Sequence, residues 1–430
     1  MATLDHKRQA RGLRGDGDLV AALDIGTSKI TCLIVRVDSR QACGFSLAGM
    51  GRQQSRGFEG GVVTDMDALE RAIRLAVEDA ERQACQRVDR VILGVTGAKI
   101  AGRLVSAETE PGGREIGPRD VRRLQAAAWA KADARARDIL CAWPVSYRVD
   151  GEDRVRDPRG MLAERFGMLM CTVSAPQSLL RNLIECLNRA HLKTDLAIPS
   201  SIASGFGALI EDERDNGALC IDMGAGVTVM SAFMNGAPAW LDLVPVGGQH
   251  VTADLAQGLG TTFAAAERLK SVSGHADLEA PGLKERIECP KLGDDGRLNA
   301  VRLPREDLAR IVAPRIEETF ELVARRLAAS DLKRAMPRRA VLTGGASQLP
   351  GVREVASRIL NMPVRLGRPV QAESLGETLA SPAFSTAAGL ITSDIAGGRA
   401  GAPIRTTEND HRNAPHAVVN KTLSWLRENF

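Results

Sequence analysis

The sequence has little that would hold a nucleic acid by charge or by stacking. Its 430 residues carry 57 lysines and arginines against 53 aspartates and glutamates, so the formal net charge is only +4. Aromatic residues make up 3% of the chain, with a single tyrosine, Tyr147. Proteins that neutralise phosphate backbones usually have a larger, clustered basic excess, and single-strand binders stack bases on aromatic rings. No nucleic acid partner is therefore expected.

Long apolar runs are also missing. The best candidate, residues 19–37, is interrupted by Asp24 and Lys29, so the sequence predicts no transmembrane helix. Residues 1–17 lack the apolar centre of a secretory signal, so no such signal is expected. They are basic and contain glycine, which predicts a disordered extension. With 44% apolar residues, the rest of the chain is long enough for two or more packed domains.

Cysteine and histidine show no metal-binding spacing. None of the eight cysteines forms a Cys-x-x-Cys pair, and several lie in apolar runs. We expect buried free thiols in a reducing cytoplasm, and no metal ion held directly by the protein.

Three segments share one pattern, an apolar run followed by a glycine turn. They are residues 19–29, 218–228 and 340–347. In the first two, Asp24 and Asp222 end the run and begin an Asp-x-Gly turn, and a second apolar run follows. The pattern predicts two strand–turn–strand hairpins about 200 residues apart, and hence a duplicated domain with two lobes that face each other.

Turns of this kind suit the binding of a nucleotide. Glycine lets the main chain approach phosphate oxygens, backbone N–H groups can donate to them, and an aspartate can hold a hydrated Mg²⁺. One such turn alone is usually only a tight turn, but three in order at strand ends predict an ATP and Mg²⁺ site. The candidate residues in the three turns are Asp24, Gly26, Thr27, Ser28, Lys29, Asp222, Gly224, Ala225, Gly226, Gly344, Gly345 and Ala346.

The order of these motifs resembles that of the actin-like, DnaK-type and sugar-kinase ATPase superfamily. The motifs read Asp-Ile-Gly-Thr-Ser-Lys at 24–29, Asp-Met-Gly-Ala-Gly-Val at 222–227 and Thr-Gly-Gly-Ala-Ser at 343–347. Within the superfamily, the chain resembles the FtsA family of bacterial cell-division proteins. The finer features are Pro245-Val246-Gly247-Gly248, Thr252, Asp254 and Glu267-Arg268-Leu269-Lys270. The resemblance covers residues 18 to about 393 and the last 14 residues.

The resemblance implies an α/β, actin-like two-lobed fold of duplicated ribonuclease-H-like domains, each with an inserted subdomain. The first lobe would comprise residues 18–89 and 176–215, with its insert at 90–175. The second lobe would span 216–393, with its insert at about 245–336. Glu267 and Lys270 match positions near the ribose and adenine, and residues 198–207 match a helix that crosses between the lobes.

The second turn departs from the superfamily pattern Asp-x-Gly-Gly-Gly-Thr. Ala225 replaces a glycine, which narrows the backbone conformations available, and Val227 replaces a residue with a hydroxyl group. Thr228 would supply that hydroxyl only if the strand register shifted by one residue. We therefore expect ATP binding with weak or absent hydrolysis, and no catalytic residue is assigned.

The last segment predicts a membrane-binding helix. Residues 394–416 have no periodicity and predict a flexible linker, whereas helical spacing over 417–430 gathers apolar side chains in an arc of roughly 160°. This helix is too short to span a bilayer, but it can lie in the membrane interface. Docking on its own domain is the open alternative. The candidate membrane contacts are Val419, Leu423, Trp425, Leu426 and Phe430.

The resemblance also implies partners and a location. An FtsA-like protein would form filaments at the cytoplasmic face of the inner membrane at the division site, bind the C-terminal tail of FtsZ, and recruit later division proteins. Arg315 matches a basic residue used for that tail, although a solvated arginine fits the sequence equally well. The alternatives are an actin-like pilus-assembly adaptor and an ATP-dependent kinase or phosphatase of the same superfamily.

Overall fold

A five-stranded sheet forms the centre of the first lobe. The computed structural model describes residues 15–395 except 42, 98, 132–136, 156, 294–296 and 333–335. The sheet has the order β11-β6-β1-β2-β3, in which β1 pairs antiparallel with β2 and parallel with β6. Its strands are β1 (Leu19–Ile25), β2 (Lys29–Val37), β3 (Phe45–Gln54), β6 (Arg90–Val95) and β11 (Lys193–Pro199).

The position of β6 corrects one boundary expected from the sequence. β6 lies between β1 and β11 and pairs in parallel with both, so residues 90–95 belong to the first lobe and not to its insert. The insert therefore begins after residue 95 instead of at residue 90. Two other limits shift slightly, because Gly17 donates its N–H to the carbonyl oxygen of Val37 and residues 394 and 395 belong to the helix Ser385–Ile395 instead of the linker. The remaining boundaries stay predictions.

The segment that follows folds around a core of its own. A four-stranded antiparallel sheet of order β7-β10-β8-β9 packs against helix α2, and the apolar side chains between them include Leu124, Phe166 and Met168. The elements are β7 (Ala101–Thr109), α2 (Pro118–Ala130), β8 (Arg137–Val149), β9 (Glu152–Val155) and β10 (Phe166–Pro176).

The second lobe repeats the arrangement of the first. Its sheet has the order β14-β13-β12-β17-β18, in which β12 pairs antiparallel with β13 and parallel with β17. This is the same pairing as β1 with β2 and β6, so the expected duplication is present. The strands are β12 (Ala218–Met223), β13 (Thr228–Met234), β14 (Ala237–Val244), β17 (Ala340–Thr343) and β18 (Val364–Leu366).

Between β14 and β17 the second lobe carries helices and a β-hairpin. They are α6 (Gly248–Leu259), α7 (Phe263–Ser273), β15 (Arg286–Leu292), β16 (Leu298–Pro304) and α8 (Arg305–Ala328). Pro314 lies inside α8, and the helix nevertheless runs through it from end to end. The remaining elements are β4 (Phe58–Glu59), β5 (Val62–Val63), α1 (Met66–Ala84), α3 (Gln177–Arg189), α4 (Ser200–Ala208), α5 (Glu211–Asn216), α9 (Val352–Leu360), α10 (Ala372–Leu375) and α11 (Ser385–Ile395).

Helices α4 and α11 cross at unusually close range between the two sheets. α4 is buried along its whole length and contacts β12 and β13, whereas α11 contacts β1, β2 and β6. A methyl group on Gly389 would lie 1.7 Å from the carbonyl oxygen of Ala203, and one on Gly207 would lie 2.0 Å from that of Ser385. Glycine is therefore required on both helices. α11 begins within residues 216–393, which were expected to form the second lobe, but it packs on the sheet of the first lobe.

The cysteines are free, and six of the eight are buried, as the sequence indicates. The two exceptions are Cys43, which is half-buried, and Cys85 at the end of α1, which is exposed. In the part of the chain that the structure describes, no helix has the length and apolar character needed to cross a membrane.

Candidate functional site

Two turns of the same geometry lie at corresponding ends of β1 and β12. In the first turn (residues 24–29) the N–H of Gly26 donates to the carbonyl oxygen of Lys29 over 3.0 Å. In the second turn (residues 222–227) the N–H of Gly224 donates to the carbonyl oxygen of Val227, also over 3.0 Å. Each turn therefore closes a two-residue loop, Thr27-Ser28 in one and Ala225-Gly226 in the other.

The two turns face each other across the lobes. A methyl group added to Gly226 would lie 2.6 Å from the hydroxyl oxygen of Thr27, so the tips are in contact range. Behind the second turn, the N–H of Gly248 donates to the carbonyl oxygen of Gly224 over 2.9 Å. The start of α6 thus holds the second turn in place.

Ala225 and Val227 fit the second turn without strain. No residue from 224 to 227 has a positive φ, so alanine is tolerated where the superfamily has glycine. Val227 is buried beside Val229 and Leu243. Thr228 does not replace the missing hydroxyl group, because its Oγ1 is buried and donates to the carbonyl oxygen of Val246 over 2.8 Å. The second turn therefore presents backbone groups and no side-chain hydroxyl.

Asp24 and Asp222 lie close enough for their charges to interact. Burial raises the pKa of Asp24 to about 7, and the charge of Asp222 adds to that shift while Lys29 opposes it. Burial also raises the pKa of Asp222, against the hydrogen bond that Thr386 donates to its Oδ2 over 2.8 Å and the charge of Lys29. Two partly desolvated carboxylates suit a hydrated divalent cation, since its charge offsets their repulsion.

Lys29 extends from the first turn toward the segment before α11. Its Nζ donates to the carbonyl oxygen of Ala383 over 2.6 Å and lies 3.7 Å from the centre of the Phe384 ring. Burial lowers the pKa of Lys29 to about 8, with Arg52 adding to the shift and the aspartates opposing it. Lys29 therefore joins the two lobes besides lying among the charged groups of the site.

The third glycine turn packs directly on the second. Gly344 has φ +85°, and a methyl group there would lie 2.2 Å from Oδ1 of Asp222. The helical turn Gly345–Gln348 follows, and Ala346 lies against Gly248, where an added methyl group would be 3.1 Å from its Cβ. The structure thus brings the second and third turns together.

Lys270 and Glu267 lie next to these turns. Nζ of Lys270 donates to the carbonyl oxygen of Gly248 over 3.0 Å, to Oγ1 of Thr252 over 2.8 Å and to Oε2 of Glu267 over 2.7 Å. The network fixes Lys270 beside Gly248, which also lies against Ala346 of the third turn. Whether these residues contact a ribose or adenine stays a prediction.

Arg315 lies outside this cluster, in an ion-pair network on α8. Its Nε donates to Oδ2 of Asp254 over 2.6 Å and its Nη2 to Oδ1 over 3.0 Å, and it also pairs with Glu318. These partners raise the pKa of the guanidinium. Arg315 links α8 to α6, so its predicted role in partner binding has a structural alternative. The candidate membrane contacts within residues 417–430 lie outside the described residues.

The sequence did not point to two residues that contact the site, Thr386 and Phe384. Thr386 and Phe384 come from the segment around the start of α11, far along the chain from the residues they contact. The available signal is the run of small residues in each crossing helix, at 200–208 and 385–389. Small residues four apart allow two helices to approach closely, which would have pointed to the crossing and to the residues beside it.

The pKa of Asp24 makes the stability of the protein depend on pH. Between about pH 4 and 7 the folded protein keeps a proton that the unfolded chain has released, so the free energy of unfolding falls as pH rises through this range. We expect Asp24→Asn to reduce this pH dependence of the free energy of unfolding, measured in urea titrations without Mg²⁺. The control is Asp67→Asn, an exposed carboxylate at the start of α1. An unchanged slope in Asp24→Asn would contradict the assignment.

The overall architecture defines an α/β protein of the actin-like ATPase fold, as the sequence predicts. The PilM–PilN type IV pilus biogenesis complex matches with a TM-score of 0.62 at 16% identity, over 88% of this chain and 99% of that chain. MreB5 of Spiroplasma citri bound to ADP matches with a TM-score of 0.54 at 13% identity, over 89% and 100%.

The sequence comparisons define the family. A family model for cell division protein FtsA matches residues 219–389, and a model for the SHS2 domain inserted in FtsA matches residues 97–174. Cell division protein FtsA of Agrobacterium fabrum is 41% identical over 381 residues, which are 87% of this chain and 86% of that protein. The chain belongs to the FtsA family of cell-division proteins. This confirms the resemblance seen in the sequence.

Proposed function

We propose that the chain is an ATP-binding adaptor of cell division that forms filaments at the cytoplasmic face of the inner membrane. The observation that carries the nucleotide part is the pair of matching turns that meet at Thr27 and Gly226 with Asp24 and Asp222 behind them. Backbone N–H groups of both turns would bind the phosphates, and the two aspartates would hold Mg²⁺ through water. The ADP-bound MreB5 of the same fold supports this proposal.

Calorimetric titration with ATP and Mg²⁺ tests nucleotide binding. Gly226→Val is expected to weaken binding by more than tenfold, because its side chain would press the tip of the second turn against Thr27. The control is Gly117→Val, at the start of α2, where an added Cβ would meet nothing closer than 3.8 Å. Equal ATP affinity in Gly226→Val and the unmodified protein would contradict the proposed site.

Hydrolysis is expected to be weak. The hydroxyl group of Thr228 donates to the carbonyl oxygen of Val246, and Val227 has no hydroxyl, so the second turn has no side-chain hydroxyl to order the metal or an attacking water. A steady-state turnover above about one per second, within the ordinary range of enzymes, would contradict this part of the proposal.

The partner that we propose for the second lobe is the C-terminal tail of FtsZ, with Arg315 among the contacts. Arg315→Glu is expected to lower the affinity for a fluorescent FtsZ tail by about tenfold in anisotropy titrations. Asp254→Ala should keep or raise the affinity, because it removes the ion pair that occupies the guanidinium of Arg315. Arg310→Glu is the control, since Arg310 on the same helix pairs, within the described residues, with Glu306 alone. Equal affinities for Arg315→Glu and Arg310→Glu would assign Arg315 a structural role.

The membrane contact that we propose is the amphipathic segment 417–430, joined to the lobes by the linker at 394–416. By random-coil scaling, about 22 linker residues give a reach of roughly 25 Å, enough for the segment to leave the folded body. Membership of the FtsA family favours this adaptor over the pilus-assembly and kinase or phosphatase alternatives. Filaments would present many such segments and recruit later division proteins to the division site.

A further inference from the structure

A depression opens beside the first turn, on the β2–β3 edge of the first lobe. It has a volume of about 350 Å³ and is lined by Ser28, Lys29, Arg52, Gln53 and Gln54. Two of the lining residues are cations and none is a carboxylate. The depression therefore has the charge of an anion site, and it begins at a residue of the first turn.

The strand register places three of these side chains on one face. In the antiparallel pair of β2 and β3, Lys29 lies opposite Gln54, and Thr31 lies opposite Arg52. Residues directly opposite each other, and residues two apart on one strand, share a face of the sheet. Lys29, Arg52 and Gln54 therefore project to the same side. Gln53 projects to the other side, where its Nε2 donates to Oδ2 of Asp79 over 2.6 Å.

The hydrogen-bond donors on this face are largely unused. Arg52 and Gln54 are exposed, and neither side chain makes a hydrogen bond or ion pair within the described residues. Lys29 donates one N–H to the carbonyl oxygen of Ala383, and its charge is influenced first by Asp24 and then by Arg52. Two cationic side chains on one face favour an anion beside Arg52, whose charge no carboxylate pairs within the described residues, whereas Asp24 partly offsets the charge of Lys29.

We propose that Lys29, Arg52 and Gln54 form a subsite for a terminal phosphate group, either the γ-phosphate of bound ATP or free inorganic phosphate. The subsite rests on the proposed nucleotide function and adds to it a means of distinguishing ATP from ADP. The planar guanidinium of Arg52 provides a two-pronged donor that matches phosphate oxygens. The amide of Gln54 and the hydroxyl of Ser28 supply further donors at the rim.

This subsite accounts for how the site could distinguish ATP from ADP. The second turn offers no side-chain hydroxyl to the terminal phosphate, because the hydroxyl of Thr228 already donates to the carbonyl oxygen of Val246 and Val227 has no hydroxyl. Recognition of that phosphate then depends on the first lobe, where the guanidinium of Arg52 on β3 would donate hydrogen bonds to it. Arg52 would contact the terminal phosphate itself, so its loss should change the preference for ATP over ADP more than the binding of the nucleotide as a whole.

The test compares Arg52→Ala, Arg52→Lys and the control Arg56→Ala, an exposed arginine just after β3. Each folded variant is titrated calorimetrically with Mg²⁺-ADP and with a Mg²⁺-bound, non-hydrolysable ATP analogue. Inorganic phosphate is titrated separately into the ADP-saturated protein and followed by phosphorus NMR. A charge-assisted hydrogen bond of ordinary strength predicts a loss of about ten- to a hundredfold.

Two outcomes support the proposal. In the first, Arg52→Ala loses affinity for the ATP analogue, keeps its affinity for ADP within twofold, and is partly rescued by Arg52→Lys, which identifies the γ-phosphate. In the second, affinity for both nucleotides is unchanged but the binding of inorganic phosphate is lost, which identifies the free anion. Arg56→Ala should match the unmodified protein in both.

Unchanged analogue and phosphate binding in Arg52→Ala would overturn the subsite, and so would an equal loss for ADP and the ATP analogue. If the unmodified protein bound neither nucleotide, the proposed function would fail instead. Phosphate titration of the nucleotide-free protein would then decide the subsite alone, and equal binding by the unmodified protein and Arg52→Ala, or none by either, would overturn it.

Discussion

Gly389→Ala is expected to destabilise the protein by about 3 kcal/mol or more, because the added methyl group would overlap the backbone of the neighbouring helix. It would lie 1.7 Å from the carbonyl oxygen of Ala203 and 2.8 Å from the backbone nitrogen of Gly207. Neither atom belongs to a flexible side chain that can turn away. The helices must move apart, although alanine favours a helix over glycine by about 1 kcal/mol.

The displacement should reach the nucleotide site as well. Thr386 on α11 donates to Asp222, and Leu390 packs over Gly94 next to Asp24, so α11 contacts both aspartates or their surroundings. We therefore expect Gly389→Ala to lower the urea midpoint of unfolding and the affinity for ATP together. Gly207→Ala on α4 should act in the same way, since its methyl group would lie 2.0 Å from the carbonyl oxygen of Ser385.

Gly258→Ala is the matched control for this prediction. It is also a glycine within a helix, and its added methyl group would meet only the end of the Ile311 side chain, at 2.7 Å from Cδ1. That chain end can change rotamer, so we expect a change in stability below about 1 kcal/mol. Equal urea midpoints for Gly389→Ala and Gly258→Ala would show that the close helix crossing is not required.

Trp425→Glu is expected to remove most of the binding of filaments to liposomes. Five large apolar side chains each contribute roughly 1.5–3 kcal/mol when buried in the interface. Ordering the segment costs about 1–2 kcal/mol per residue, so a single copy binds only marginally. A filament binds firmly because many copies act together, and a small loss per copy is multiplied along it. Co-sedimentation should fall by more than tenfold.

Ser424→Glu is the control, because it introduces the same charge on the opposite side of the predicted helix. At 100° per residue, position 424 lies among Asn420, Lys421, Arg427 and Glu428, away from the apolar arc. Pelleting of Ser424→Glu should stay near that of the unmodified protein. Pelleting of Trp425→Glu at the same level would contradict the proposed anchor.

The turns could be predicted from the sequence because their signals are local. Asp24 and Asp222 each stand two residues before a glycine at the end of an apolar run, and the structure forms the same hydrogen-bonded loop after each. The repeated pattern also indicated the duplication. Strand pairing between distant segments has no such signal, and the assignment of residues 90–95 to the insert was therefore wrong.

Contacts that join distant parts of the chain could not be predicted in the same way. Lys29 and Ala383 are 354 residues apart, and Asp222 and Thr386 are 164 apart, so no spacing rule connects them. The pairing of Arg315 with Asp254 is a further case, because a basic residue on a helix gives no indication of its partner. The sequence indicated Thr228 as a possible source of a hydroxyl group, and only the fold showed that this hydroxyl donates to the carbonyl oxygen of Val246.

The most direct test of the account is an experimental structure of the protein with Mg²⁺ and a non-hydrolysable ATP analogue. We expect the phosphates between the first and second turns, Mg²⁺ on the side of Asp24 and Asp222, and the base near Lys270 and Ala346. A saturated complex in which the analogue lies elsewhere, with Thr27 and Gly226 still in contact and no phosphate between the two turns, would contradict the account.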